Sequence, residues 1–337
     1  MGYVLTTKQA NEMIAQLATK YRLFAPKTFK SEGRFSDTDC VRYGEIGNIE
    51  EINFEKKSEY SFKEALLPVM QTLFYFTENV VTEPKVSDKK TMIFLRSCDM
   101  HAVKRLDEMY YNNGPKDYYY SLLRENVKFV LIGCDHSFDN CFCVSMGSNV
   151  SENHDFSFTK VQDTYEVDLK DTEFTELFEK LGASASEVNV PFVTENKVKV
   201  QIAESLNAQV MNSKMWDEYD YRCIACGRCN FVCPTCTCFT MQDMYYTDNG
   251  KIGERRRTWA SCMVNGFTDV AGGGSYRKQN GQRMRFKVLH KVYDFKVRNG
   301  YHMCIGCGRC DDVCPEYISF SHCINKLPEA MKEVTQS

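Results

Sequence analysis

The chain has 337 residues, of which 43% are hydrophobic and 26% are charged, and its formal net charge at pH 7 is −3. This length allows two domains. The small net charge gives no reason to expect a nucleic-acid or membrane partner. The longest apolar runs, such as 128–134, have the length of a strand and are far too short to cross a membrane. The N-terminus lacks the features of a secretory signal, so we expect a cytoplasmic protein.

Elements in the first half of the chain predict an α/β arrangement. Apolar residues at helical spacing predict an amphipathic helix over 7–21. Strand-length apolar runs at 92–95 and 129–132 flank a helical pattern over 100–111, and a strand–helix–strand order is typical of α/β domains. Alternating hydrophobicity over 156–169 predicts a β-hairpin.

Cysteine dominates the last third of the chain. Most of the 17 cysteines lie in tight groups, as metal sites require, and not scattered as in a secreted disulfide scaffold. Two segments, Cys223–Pro234 and Cys304–Pro315, share the spacing C-x2-C-x2-C-x3-C-P. We therefore expect an α+β protein with an N-terminal α/β domain, residues 1–210, followed by a mainly helical, ferredoxin-like dicluster domain, residues 211–337.

The spacing of these two segments is that of [4Fe–4S] ferredoxins. In two-cluster ferredoxins the fourth cysteine of each segment binds the cluster of the other segment. The first cluster is therefore predicted to take Cys223, Cys226, Cys229 and Cys314, and the second Cys304, Cys307, Cys310 and Cys233. Structural zinc is the alternative, but it prefers two separated pairs of cysteine or histidine. The small residues at 225, 227, 306 and 308 are expected to let backbone amides approach the sulfurs.

Four further cysteines predict a candidate third cluster. Cys98 and Cys134 each follow a predicted strand, and functional groups gather at the carboxyl ends of strands in α/β sheets. The four thiols that could converge there are those of Cys98, Cys134, Cys141 and Cys143. Neighbouring side chains that could replace or support them are Asp99, His101, Asp135 and His136. A small zinc site and buried structural cysteines remain open as alternatives.

Other features leave several interpretations open. Cys236, Cys238 and Cys262 are expected to pack around the clusters, and Cys40 and Cys323 to be structural. The segment 251–291 contains ten Lys or Arg and two acidic residues. Its positive charge suits compensation of anionic clusters, docking of an acidic partner, or an ordinary solvated face.

The sequence offers no catalytic centre of its own. No G-x-G-x-x-G segment follows a predicted strand, so a dinucleotide site is unsupported. No residue is predicted to be catalytic. Two alternatives of other classes stay open, a stand-alone flavin reductase and a scaffold in which the metal is structural.

The cysteine segments and their surroundings resemble a known family. Besides Cys223–Pro234, the stretches Ser97–Ala102, Cys141–Gly147, Thr235–Phe239 and Arg256–Cys262 are similar to those in the dicluster subunits of anaerobic sulfite reductases and in sulfhydrogenase β subunits. The resemblance implies an electron-relay subunit with two partners. One is a flavin- and nicotinamide-reactive subunit, and the other is a sirohaem subunit that reduces sulfite. The alternative within the same class is the β-type subunit of a soluble hydrogenase.

Overall fold

The computed structural model describes residues 1–35, 37–85 and 89–336, which form a mixed α/β fold. The strands are β1 (Gly2–Thr6), β2 (Tyr21–Phe29), β3 (Cys40–Glu45), β4 (Met70–Phe76), β5 (Val81–Thr82), β6 (Lys90–Arg96), β7 (Val127–Ile132), β8 (Phe156–Val161), β9 (Thr164–Asp168), β10 (Ser184–Ala185), β11 (Phe239–Tyr245), β12 (Gly253–Trp259), β13 (Asp269–Val270) and β14 (Gly274–Ser275). The α-helices are α1 (Thr7–Lys20), α2 (Lys63–Leu66), α3 (Ser97–Asp107), α4 (Tyr118–Arg124), α5 (Thr175–Lys180), α6 (Glu218–Arg222), α7 (Arg228–Phe231), α8 (Asn280–Leu289), α9 (Phe295–Asn299), α10 (Arg309–Asp312), α11 (Phe320–Asn325) and α12 (Leu327–Gln336). Short 3₁₀ turns cover Ile49–Glu51, Thr172–Phe174, Ala208–Asn212 and Lys214–Trp216, and π-helical turns cover Glu108–Asn112 and His290–Asp294.

The largest sheet has eight strands in the order β10-β1-β9-β8-β7-β6-β2-β3. Its centre is parallel, because β6 pairs in parallel with both β2 and β7, and β7 with β8. The remaining pairs are antiparallel, including the hairpin of β8 and β9. The predicted strand–helix–strand unit is confirmed as β6, α3 and β7, and the predicted hairpin is confirmed as well.

Helix α1 shows how the sequence defines an element. Thr6 accepts a hydrogen bond from the backbone of Gln9, and the Gln9 side chain accepts one from the backbone of Thr6, which is a capping box. Apolar residues at helical spacing, including Met13, Ile14 and Leu17, are buried against the sheet. The helix predicted over 7–21 is thus confirmed over Thr7–Lys20.

The apolar run of β6 is continuous because both faces of this strand are buried. Met92 and Phe94 lie in a core that also contains the apolar side of α1. Ile93 and Leu95 point to the opposite face and share a second core with α3. That second core extends to Ile305 and Cys307, which belong to the second cysteine segment. The sheet therefore positions the N-terminal residues directly against this segment.

A second sheet combines strands from distant parts of the chain. Its order is β11-β12-β4-β5, so that β4 of the N-terminal part pairs with a hairpin that lies between the two cysteine segments. The remaining C-terminal helices pack around a third core that includes Trp216, Met284 and Leu327. Residues 211–337 thus contain both helices and strands. No helix in the described ranges is long and apolar enough to cross a membrane.

Candidate metal centre

The two cysteine loops, 223–229 and 304–310, share one local conformation. Ala225 and Gly306 occupy the same position in their loops and both adopt a left-handed backbone, with φ of 55° and 66°. In each loop the amide of this residue points at the sulfur two positions earlier. Ala225 N donates to Cys223 Sγ and Gly306 N donates to Cys304 Sγ, each at 3.4 Å. The expected approach of backbone amides to sulfur is therefore present in both loops.

The cysteines predicted for the first cluster surround a common cavity. This first cavity is lined by Cys223, Cys226, Cys229 and Cys314, with Cys310 as a fifth cysteine. Apolar side chains such as Met263 and Phe320 also line it. Cys226 is exposed, so that this cavity lies at the surface of the molecule.

The cysteines predicted for the second cluster surround another cavity. This second cavity is lined by Cys233, Cys304, Cys307 and Cys310, with Cys229 as a fifth cysteine. Cys307 is buried, and Phe142 from the N-terminal part forms a wall of the cavity. The second cavity is therefore the more enclosed of the two.

The donor set fits an iron–sulfur cluster. Each thiolate of a cubane binds a different iron atom, so the four sulfurs surround a cage and do not meet at one point. Each cavity is lined by the four cysteines of one predicted set and one cysteine of the other, and each loop supplies an amide donor to sulfur. Across the part of the chain that the structure describes, no three His, Cys, Asp or Glu side chains are grouped as ligands of a single metal ion.

Two buried lysines on α8 and the π-helical turn after it place positive charge beside the cysteines. Lys287 lines both cavities and Lys291 lines the second. Burial opposes the charge of Lys287, but the thiolates of Cys229 and Cys310 outweigh it, so the pKa of Lys287 lies well above its usual value. Burial also opposes the charge of Lys291, but the thiolate of Cys233 outweighs it and raises the pKa of Lys291. Both side chains therefore stay protonated and offset negative charge in the cavities.

The basic residues of segment 251–291 lie in two different surroundings, beside the cysteines or in ion pairs. Lys287 and Lys291 lie beside the cysteines, as charge compensation requires, and this was one of the interpretations that the sequence allowed. On β12, Arg255 pairs with Asp243 at 2.6 Å and Arg257 with Asp117 at 2.8 Å. The sequence signal was the excess of Lys and Arg, but only the fold shows which of them face the cysteines.

An ion pair that the sequence did not reveal joins the second loop to the N-terminal part. Arg309, in the second loop, donates to both carboxylate oxygens of Asp99, at 2.7 and 2.8 Å, and both side chains are buried. Ser58 accepts two further hydrogen bonds from the same guanidinium. Nearby, Phe142 N donates to Gly306 O at 2.7 Å. The second loop is therefore fixed by the N-terminal part.

The four cysteines of the candidate third cluster lie in one neighbourhood beside this contact. Cys98 is in the first turn of α3, and Cys134 follows β7. Burial raises the pKa of Cys143 to about 11, and the thiolates of Cys141 and Cys134 add to the rise. Cys141 Sγ lies 3.6 Å from Cys307 O, so that the group adjoins the second loop.

The acidic and histidine side chains near these cysteines have other partners. His136 Nδ1 is 2.6 Å from Asp135 Oδ1, and His101 Nε2 is 2.7 Å from Val150 O. Asp99 is held by Arg309. In the described structure these side chains are therefore engaged in hydrogen bonds outside the cysteine group.

Five cysteines lie outside the three predicted sets of ligands. The Cys262 thiol and the Cys238 sulfur are in hydrogen-bonding contact, which lowers the pKa of Cys238 despite its burial. Asn230 Nδ2 also donates to Cys262 Sγ at 3.0 Å. Cys236 is buried next to Cys233. Cys40 and Cys323 are buried elsewhere.

Comparison with known proteins identifies the cysteine-rich part first. Residues 222–318 match the model of a 4Fe-4S dicluster domain, so both cysteine loops lie within an iron–sulfur domain. The chain is also 29% identical over 312 residues to the sulfhydrogenase 2 subunit beta of Pyrococcus furiosus, a match that covers 86% of this chain and 92% of that protein. No solved structure matches the chain.

Proposed function

We propose that the chain is an iron–sulfur electron-transfer subunit of a multi-subunit oxidoreductase. The observation that carries this proposal is the pair of cavities, each lined by the four cysteines of one predicted set. Bound there, [4Fe–4S] clusters would supply one-electron carriers. The chain itself would provide thiolates, amide donors to sulfur, and the positive charges of Lys287 and Lys291.

We assign the ligands in the crossed arrangement. The first cavity takes Cys223, Cys226, Cys229 and Cys314, and the second takes Cys304, Cys307, Cys310 and Cys233. We further propose that residues 211–337 form a mainly helical ferredoxin-type unit that carries the β11–β12 hairpin, and that residues 1–210 form the α/β unit.

Cys98, Cys134, Cys141 and Cys143 are proposed to hold a third [4Fe–4S] cluster. The proximity of Cys141 to Cys307 supports this assignment, because a third cluster there would adjoin the second. Zinc or a purely structural role are the alternatives, and iron analysis separates them.

Two catalytic partners suit such a subunit. The similarity to a sulfhydrogenase β subunit favours a soluble hydrogenase with the chain as its β-type subunit. The stretches Thr235–Phe239 and Arg256–Cys262, which resemble those of the dicluster subunits of anaerobic sulfite reductases, favour a sirohaem subunit that reduces sulfite. In either case a flavin- and nicotinamide-reactive subunit would exchange electrons with this chain in the cytoplasm.

The deciding experiment is anaerobic purification of the chain with its native partners, followed by metal and pigment analysis. Sirohaem in the complex would identify a sulfite reductase, and nickel would identify a hydrogenase. Iron with acid-labile sulfide, and EPR signals that appear on reduction, would establish the electron-transfer role. A chain without iron, or clusters that dithionite does not reduce, would contradict that role.

A further inference from the structure

The two cysteine loops are nearly identical in sequence but lie in opposite surroundings. The first loop is Cys-Ile-Ala-Cys-Gly-Arg-Cys and the second is Cys-Ile-Gly-Cys-Gly-Arg-Cys. Ile305 of the second loop is 2% exposed, whereas its counterpart Ile224 in the first is 58% exposed. The second cysteine differs in the same way, since Cys307 is buried and Cys226 is exposed. Equivalent surfaces are therefore covered in one loop and open in the other.

The arginines of the two loops differ in the same way, because among the described residues only the arginine of the second loop has a carboxylate partner. Arg309 is buried and binds Asp99 of α3 through both nitrogens of its guanidinium end. Arg228, at the same position of the first loop, is exposed and forms no ion pair with any residue of the described ranges. Asp311 and Asp312 border the same groove as Arg228, but they bind Phe320 N and Lys57 Nζ, each at 2.7 Å.

The one sequence difference within the loops agrees with this contrast. Gly306 could not carry a side chain, because a Cβ atom there would lie 2.5 Å from the backbone of Phe142 in the N-terminal part. The first loop has Ala225 at this position in the same left-handed conformation. An alanine in the left-handed conformation is less favourable than a glycine, and it has room only where no second backbone approaches.

We propose that the face of the first loop, formed by Ile224, Cys226, Arg228 and the adjacent Tyr221, is the docking surface for a redox-active partner subunit that presents a carboxylate to Arg228. The partner's carboxylate would bind Arg228 as Asp99 binds Arg309. Its apolar residues would cover Ile224 as the core of the N-terminal part covers Ile305. Tyr221 is 91% exposed and extends the apolar surface. The proposal rests on the proposed function, because electrons can pass to a partner through the exposed Cys226 only if Cys226 is a ligand of an electron-carrying cluster.

Occupancy of this face is tested by hydroxyl-radical footprinting of the anaerobically purified native complex against the isolated chain. We expect Tyr221 and Ile224 to be protected in the complex, while Tyr118, an exposed residue of α4, serves as a comparison within the same molecule. Equal modification of Tyr221 and Ile224 in an intact complex and in the isolated chain would overturn the proposal.

The chemistry of the partner is tested with Arg228→Gln and Arg228→Lys in the same complex. Loss of one member of a buried ion pair at an interface weakens binding about thirtyfold or more. We therefore expect Arg228→Gln to release the partner at lower salt and Arg228→Lys to retain part of the affinity. Arg22→Gln is the matched control, since Arg22 lies on β2 and pairs with Glu45. Unchanged binding of Arg228→Gln would exclude the carboxylate contact.

A second readout separates this proposal from the electron-transfer role. Iron content and reduction by dithionite, a small reductant that needs no docking, report the electron carrier independently of the partner. A chain that holds reducible clusters but remains monomeric in its native extract would refute the docking surface and leave the carrier intact. A native complex in which the chain contains no iron would refute the electron-transfer role instead.

Discussion

Arg309 and Asp99 form a buried, two-pronged ion pair between the second cysteine loop and helix α3, with nitrogen–oxygen distances of 2.7 and 2.8 Å. The pair lies one residue from Cys98 on one side and between Cys307 and Cys310 on the other. It therefore couples the position of the predicted third group of cysteines to that of the second cavity.

Asp99→Ala should destabilise the protein strongly, because it leaves the guanidinium of Arg309 buried without a counter-charge. Breaking a buried ion pair on one side costs about 3–5 kcal/mol. Urea unfolding followed by circular dichroism under anaerobic conditions measures the loss. The matched control is Glu45→Ala, which removes the exposed partner of Arg22 and should cost about 0–1 kcal/mol. Equal effects of the two substitutions would mean that the buried pair does not fix the second loop.

Gly306→Ala and Ala225→Gly should have opposite outcomes although they are reciprocal exchanges at equivalent positions. The alanine at 306 would place its Cβ 2.5 Å from the backbone of Phe142, so the loop and the N-terminal part must separate. We expect a lower unfolding midpoint and loss of iron from Gly306→Ala. Ala225→Gly relieves a left-handed alanine and should be neutral or slightly stabilising. Loss of iron from Ala225→Gly but not from Gly306→Ala would contradict this account of the two loops.

The parts of this protein that follow from local sequence patterns were predictable. The capping residues of α1, the buried run of β6 and the two cysteine spacings each act over a few neighbouring residues. Three cysteines of each predicted set lie within one seven-residue loop, so their approach to a common cavity follows from spacing and loop conformation. The fourth, Cys314 or Cys233, reaches that cavity from the other segment.

The long-range contacts were not predictable from the sequence. Nothing in residues 70–76 indicates that this strand pairs with β12, and nothing near Asp99 indicates that it binds Arg309, 210 residues away. The different surroundings of Arg228 and Arg309 are also invisible in the sequence, since the residues on either side of them are the same. Such contacts depend on how the sheet and helices pack, which a periodic pattern does not specify.

The crossed assignment of ligands predicts how pairs of substitutions combine. Cys233→Ser and Cys304→Ser should each remove about four irons, and the double variant should also lose about four, because both residues serve the second cluster. Cys233→Ser combined with Cys229→Ser, from the same segment, should lose about eight.

Iron and acid-labile sulfide per chain, measured after anaerobic purification, decide between the assignments. Cys40→Ser is the control for a buried cysteine outside the two segments. If each segment instead served its own cluster, the two double variants would exchange their results.

The group of Cys98, Cys134, Cys141 and Cys143 predicts a total iron content. With a third cluster the native chain should contain about twelve irons, and without it about eight. Cys141→Ser should lower the larger value by about four and remove one EPR signal on reduction, while leaving the cysteines of both cavities intact. Cys323→Ser, another buried cysteine, is the matched control. A native content of about eight irons that Cys141→Ser does not change would return these four cysteines to a structural role, since their mutual proximity would then serve packing alone.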